Sequence, residues 1–219
     1  MIAAGLLGWC ALAYVGSRWH QQSDERALAE LRKESLASES PWPRADLPGT
    51  EQSVGGVSPA ESKAVDAGLI GRIEIPRLGL GAIVREGTDR KTLERAVGHV
   101  SGTVLPGQNG NVCLAAHRDT FFRRLEGVRK NDTIRITTPG ATYEYTVEMT
   151  TVVDPDAVEV LASTGDAALT LVTCYPFRYV GPAPRRFIVS SRLSAPAEPL
   201  RAGRPTALHR WGASRYSMK

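Results

Sequence analysis

A cysteine at the end of a β-branched run carries the first chemical signal in this chain. Thr170-Leu171-Val172-Thr173-Cys174 has the residue types of a strand, and Tyr175-Pro176-Phe177 follows it. Proline has no N–H to donate to a ladder, so the strand stops there and Cys174 sits at a rim. Two readings stand for this thiol: a small buried apolar residue, as free cysteines usually are, or a nucleophile. His117 closes a second apolar run, Asn111-Val112-Cys113-Leu114-Ala115-Ala116, and Arg185-Arg186 opens a third, Phe187-Ile188-Val189. Polar groups at three strand ends can converge on one rim of a barrel. There a thiolate would attack a carbonyl carbon, an imidazole would exchange protons with the leaving and entering groups, and a guanidinium would face the oxyanion. Taken singly, His117 also reads as a strand-end histidine bonded to backbone, and the arginines as solvated charges. Residues 175–185, between Cys174 and Arg186, make a connection too long for a tight hairpin, and long loops in compact domains are often functional.

The elements that must position these groups are short strands. Gly71-Arg72-Ile73-Glu74-Ile75 alternates and stops at Pro76, and Leu80 to Val84 follows. Thr88 to Val97 reads as a short helix capped by Thr88 or Asp89, with Leu93, Ala96 and Val97 on one side. Thr133 to Thr137 and Tyr143 to Val153 are alternating strands joined through Pro139-Gly140, and Phe121–Leu125 and Asp156–Ala162 read as helical turns. This spacing of short strands and turns predicts a mostly-β barrel or sandwich. Alternation also assigns faces. Leu169, Leu171 and Thr173 share the more apolar face, which belongs inside, so Cys174 points outward. Phe187 and Val189 form the inner face of the last strand, which puts Arg186 on the side of Cys174 and Arg185 on the other.

Ahead of this region the texture differs. Ile2 to Val15 is an uncharged apolar run closed by Ser17-Arg18. Residues 1–17 read as an N-terminal membrane anchor, complete or truncated, or as an uncleaved signal. Arg18 to Ser38 interleaves Glu25, Arg26, Glu30, Arg32, Lys33 and Glu34 with Ala27, Leu28, Leu31 and Leu36, the pattern of a solvated helix with one weak apolar side. Pro41, Pro43, Pro48, Pro59 and Gly55-Gly56 mark a linker. The organisation expected is anchor (1–17), stalk helix and linker (18–65), barrel (66–194) and a Pro/Arg-rich disordered tail (195–219). The net charge of +4 is spread along the chain, with no basic-aromatic face, so nucleic acid is not an expected partner. Three cysteines, Cys10, Cys113 and Cys174, make no disulfide framework, and no His/Cys spacing suggests zinc.

Ala116-His117-Arg118-Asp119, Thr170-Leu171-Val172-Thr173-Cys174 and Arg186-Phe187-Ile188-Val189 together resemble the sortase family of cysteine transpeptidases. The continuation from Cys174 through Arg186 is most similar to the class D sortases, and the resemblance covers about Leu69 to Leu193. It implies a closed eight-stranded β-barrel with short helices, with catalytic His117, Cys174 and Arg186 in a groove on its wall. Thr173, Ala116 and Tyr175, beside the catalytic positions, are the substrate-binding candidates. The implied reaction starts with attack of Cys174 on the Thr carbonyl of an LPxTG-like C-terminal sorting signal of a secreted protein. An amine from a cell-wall precursor or a protein lysine then takes the acyl group. No metal or organic cofactor is implied. The implied location is the cell membrane, crossed once, with the barrel outside the cytoplasm. Two other functions fit the same residues: a cysteine hydrolase that passes the acyl group to water, and a non-catalytic tethered barrel that binds peptides. Leu47-Pro48-Gly49-Thr50 itself matches such a signal, but Glu51 follows where Gly would stand. It reads as a chance match in the linker or as an uncleavable decoy.

Overall fold

The computed structural model of the chain describes residues 21–35, 64, 67–163 and 165–199. The anchor expected at 1–17, the Leu47–Thr50 motif and the tail beyond Pro199 lie outside the described residues. Eight strands close into one barrel. In chain order they are β1 (Leu69–Ile75), β2 (Leu80–Glu86), β3 (Val97–His99), β4 (Asn111–Ala115), β5 (Thr133–Thr137), β6 (Ala141–Val153), β7 (Ala168–Tyr175) and β8 (Arg185–Pro199). Around the barrel the order is β1-β2-β3-β4-β7-β8-β6-β5, with β5 returning to β1. Closure removes the exposed edges that short strands would otherwise present. The pairs β2/β3 and β4/β7 are parallel, and the others are antiparallel.

Alternation fills the interior. Ile73 and Ile75, Ala82 and Val84, Val112 and Leu114, Ile134 and Ile136, Tyr145 and Val147, Leu169 and Leu171, and Val189 form one buried cluster. Each large aliphatic side chain in it contributes about 1.5–3 kcal/mol of transfer free energy. Tyr145 is fully buried, its hydroxyl accepts from Gly107 N at 3.4 Å, and burial pushes the phenol up to about 12.

Three expectations need correction. The helix expected over Thr88–Val97 is one turn, α2 (Arg90–Leu93), with Asp89 accepting from Lys91 N and Thr92 N, and Val97 already belongs to β3. A three-residue strand with glycine at its centre carries no period of its own. It exists because Gly98 lets the backbone close on residue 87, where a Cβ would meet Gly87 O at 2.3 Å. Strand β8 runs to Pro199, five residues past the boundary expected at 194, and pairs with β6 as far as Ala141.

The stalk helix is the third. Residues 21–35 form a helix, α1, that lies on the outer wall of the barrel and is no free spacer. Leu28 packs on Leu69 and Ile83 there, and Ile83 is fully buried although its neighbours Ala82 and Val84 face the interior. Gln21 bridges the seam, donating to Arg95 O at 2.5 Å and accepting from Ile83 N at 2.8 Å. Asp24 pairs with Arg85 at 3.0 Å, and Glu25 pairs with Arg72. Leu28→Ala is therefore expected to destabilise the barrel by about 2 kcal/mol in urea unfolding, at the low end for a leucine truncation because the site is peripheral. An unchanged midpoint would show that α1 adds nothing to the barrel. No helix among the described residues is long and apolar enough to cross a membrane.

A long connection carries the chain from β4 to β5, past His117. Its far end is anchored at Asp132, a buried carboxylate. Asp132 pairs with Arg77, accepting from Nη2 at 2.6 Å, and it accepts from Arg129 N at 2.8 Å. Arg77 Nη2 also reaches Gly127 O at 2.6 Å. The hydrogen bond from Arg77 holds the Asp132 carboxyl below its ordinary range. A depressed acid stabilises the fold above its unfolded range and loses that contribution as pH falls through and below it. Asp132→Asn should therefore lower the thermal midpoint at pH 7, with the gap to wild type closing toward about pH 3. A gap independent of pH would remove the charge from the explanation.

Candidate active site

Register sets Cys174 and Arg186 opposite one another and leaves His117 just past the end of the neighbouring strand. Strand β4 pairs β7 in parallel, with Ala115 opposite Val172. Two residues further on stand His117, past the end of β4, and Cys174, the penultimate residue of β7. Strand β8 pairs β7 in antiparallel, with Arg186 directly opposite Cys174. Residues opposite one another on a face have Cβ atoms about 4.5–5.5 Å apart, so the thiol and the guanidinium share one patch of wall. His117 is exposed, and Cys174 and Arg186 are half-buried. The Arg186 guanidinium lies against its own loop, with Nη1 donating to Arg185 O at 3.1 Å and Ala183 O at 3.3 Å. Arg185 pairs with Tyr175 in the ladder, on the other face, and its side chain reaches Asp154 at 3.7 Å in solvent.

Two of the three substrate-binding candidates are turned inward. Thr173 and Ala116 are only 2% and 6% exposed. The Thr173 hydroxyl donates to Ala116 O at 2.7 Å, and Ala116 N donates to Val172 O at 3.2 Å. These side chains hold the rim together from within and offer no surface to a ligand. Tyr175 faces away from Cys174. It stacks on Phe187 at 6.2 Å and meets Phe177 edge-on at 6.0 Å, and Phe177 meets Phe187 at 5.2 Å. This aromatic cluster packs against the core below the site.

Outward from Cys174 the floor is small and apolar. Val172 and Ala115 lie on the Cys174 face of their strands, and Ile188 follows on the Arg186 face of β8. A 3-10 turn, Val158–Leu161, belongs to the segment between β6 and β7. Buried Asn111 fixes it, donating through Nδ2 to Val160 O at 3.1 Å and Ala162 O at 3.2 Å while its Oδ1 accepts from Thr170 Oγ1 at 2.9 Å. Beyond Cys174 the segment 176–184 is held by Arg118, whose guanidinium donates to Pro176 O, Tyr179 O and Gly181 O. Sequence reasoning assigned no role to Asn111, Thr170 or Arg118. Only the position of Arg118 beside His117 hinted at one.

The second thiol of the barrel is sealed. Cys113 is fully buried, with its sulfur near Asn111 O (3.9 Å) and Leu161 O (4.0 Å). Burial pushes its thiol up to about 12. It stays protonated at neutral pH, and a protonated buried thiol is neither nucleophile nor ligand. Among the described residues, no group of three or more His, Cys, Asp or Glu side chains is placed to hold a metal ion.

Comparison with known proteins agrees with this architecture. The family model described as "Sortase domain" matches residues 73–194. Sortase D of Bacillus subtilis is 32% identical over 191 residues, which span 86% of this chain and 93% of that protein. Among solved structures, sortase A of Listeria monocytogenes superposes with a TM-score of 0.57 at 29% identity, covering 61% of this chain and 92% of that one. A Clostridium perfringens sortase D5 transpeptidase superposes with a TM-score of 0.59 at 24% identity, covering 78% and 98%, and shares the fold.

Proposed function

The chain belongs to the sortase family of cysteine transpeptidases, and from that premise we propose that it cleaves an LPxTG-like sorting signal at Cys174 and passes the acyl group to an amine. The pairing of Arg186 opposite Cys174, with His117 two residues past the β4 end that pairs beside Cys174, is the observation that carries this reading.

The Cys174 thiolate adds to the Thr carbonyl carbon of the signal. The negative charge that forms on oxygen faces Arg186, whose donors are already on that side of the wall. Collapse breaks the C–N bond, and the departing amine takes a proton from the His117 imidazolium. The signal's N-terminal part remains as a thioester on Cys174. An incoming amine then loses a proton to His117 and attacks the thioester carbon. Cys174 leaves as the thiolate, and the imidazolium is restored. An extended peptide would lie along the half-buried Ala115 and Val172, with buried Ile188 beneath, toward the turn at Val158–Leu161. Within this proposal the apolar run Ile2–Val15 tethers the barrel at the outer surface of the cell membrane. The donor proteins are secreted chains ending in the signal, and the acceptor is a cell-wall precursor or a protein lysine.

The test is mass spectrometry of products from a panel of LPxTG-like peptides, with and without an added amine such as triglycine. The expected product is the peptide–amine conjugate, preceded by a protein adduct that hydroxylamine releases. Hydrolysed peptide alone, whatever amine is supplied, would mean a hydrolase. Neither cleavage nor adduct would mean a peptide-binding barrel.

A further inference from the structure

The residue after His117 holds the loop after Cys174. Arg118 Nη1 donates to Pro176 O at 3.0 Å, and Nη2 donates to Tyr179 O at 2.8 Å and to Gly181 O at 3.1 Å. The guanidinium carbon also lies 5.7 Å from the centroid of the Tyr179 ring. Three carbonyls of one irregular segment thus converge on a single cation. Residues 176–184 belong to neither strand, and Pro176, Pro182 and Pro184 have no N–H with which to build turns of their own. A second link, Arg178 to Glu126 at 3.2 Å, lies in solvent and adds little.

On the other side of Cys174 the same two segments are already joined. Thr173 Oγ1 donates to Ala116 O at 2.7 Å, and Ala116 N donates to Val172 O at 3.2 Å. The residues flanking His117, Ala116 and Arg118, are therefore bonded to residues on both sides of Cys174: Val172 and Thr173 before it, Pro176 after it. The imidazole and the thiol are straddled by two ties. The tie through Ala116 fixes only the backbone entering His117. The backbone leaving His117 has no ladder, because β4 ends at Ala115; its carbonyl accepts from Thr120 N at 3.4 Å and Phe122 N at 3.2 Å, bonds within its own turn that do not tie it to the Cys174 strand.

We infer that Arg118 is a positioning residue of the transpeptidation: it fixes the His117 backbone against Cys174 from the exit side and holds the 176–184 segment as a rigid flank of the site. This rests on the reading of Cys174 and His117 as the reacting pair. Proton transfer requires heavy atoms about 2.6–3.2 Å apart, so a loosened exit costs rate where it costs little binding. A lysine does not replace Arg118, since an ammonium on a flexible stem lacks the planar fork that meets three carbonyls while lying on a ring.

Arg118→Ala and Arg118→Lys are to be compared with Cys174→Ala and His117→Ala in peptide cleavage and transfer, with kcat and KM determined separately. Arg118→Ala should lower kcat by about a hundredfold with KM changed less than about threefold, the scale of a displacement of about 1 Å at a reacting pair. Arg118→Lys should recover less than about tenfold of that loss. In the Cys174→Ala background, Arg118→Ala should also speed tryptic cleavage after Arg178, a readout that does not depend on activity. Should Arg118→Ala fail to fold, Arg118→Lys carries both measurements. Wild-type kcat, or a loss confined to KM, would overturn the positioning role while inert Cys174→Ala and His117→Ala enzymes left the proposed function standing. An active Cys174→Ala enzyme would instead overturn the reading beneath it.

Discussion

Cys174→Ala is expected to abolish thioester formation and transfer, a loss of about ten-thousandfold or more, as for removal of the nucleophile from other acyl-transfer sites. Cys113→Ala is expected to stay within about threefold of wild type, because a sealed, protonated thiol takes part in no step. The contrast comes from position. Cys174 stands one residue before the end of β7 on the outward face, half-exposed and opposite Arg186, whereas Cys113 lies under the turn at Val158–Leu161 with its thiol pushed up to about 12. Iodoacetamide at neutral pH, followed by peptide mapping, gives an independent check. Label should appear at Cys174 and be absent from Cys113 until the barrel is unfolded. Label at Cys113 in the folded protein, or activity surviving in Cys174→Ala, would remove Cys174 as the nucleophile.

Arg186→Ala is expected to lower the transfer rate by at least about a hundredfold, the scale for losing one donor to an acyl-transfer oxyanion. Arg186→Lys should restore little of it, since a point charge does not reproduce the guanidinium fork. Arg185→Ala should cost less than about tenfold, or about 1.4 kcal/mol. The two residues are adjacent, but in the ladder Arg186 faces Cys174 and Arg185 faces Tyr175. In the resting barrel Arg186 donates to Ala183 O and Arg185 O, both backbone groups of its own loop. Donors held this way can turn to an arriving oxyanion with little movement of the chain. Steady-state kinetics on the three variants decides the matter. A larger loss at Arg185 than at Arg186 would mean that the reactive face of β8 is the opposite one.

Sequence alone determined what a local period can determine. Alternation named the inward faces of β7 and β8, and with them the side on which Cys174 and Arg186 both lie, because a period of two leaves only one choice of face. Residue types at strand ends named the candidate groups, since proline after Tyr175 had to stop β7 at a rim. Tertiary structure decided everything that depends on what covers a face or closes a gap. Ile83 breaks the alternation of β2, between inward Ala82 and Val84, and with the weak apolar side of α1 at Leu28 and Leu31 that break was the local trace of α1 docking on the outer wall. β3 has too few residues to show any period, and it is a strand because its neighbours leave a strand's width there. Thr173 stands next to Cys174 in sequence but is turned inward to bond Ala116. Arg118 reaches carbonyls 58 to 63 residues away along the chain. The period of a strand states which way a side chain points. It carries no information about which distant backbone will be there to meet it, and that is fixed only when the barrel closes.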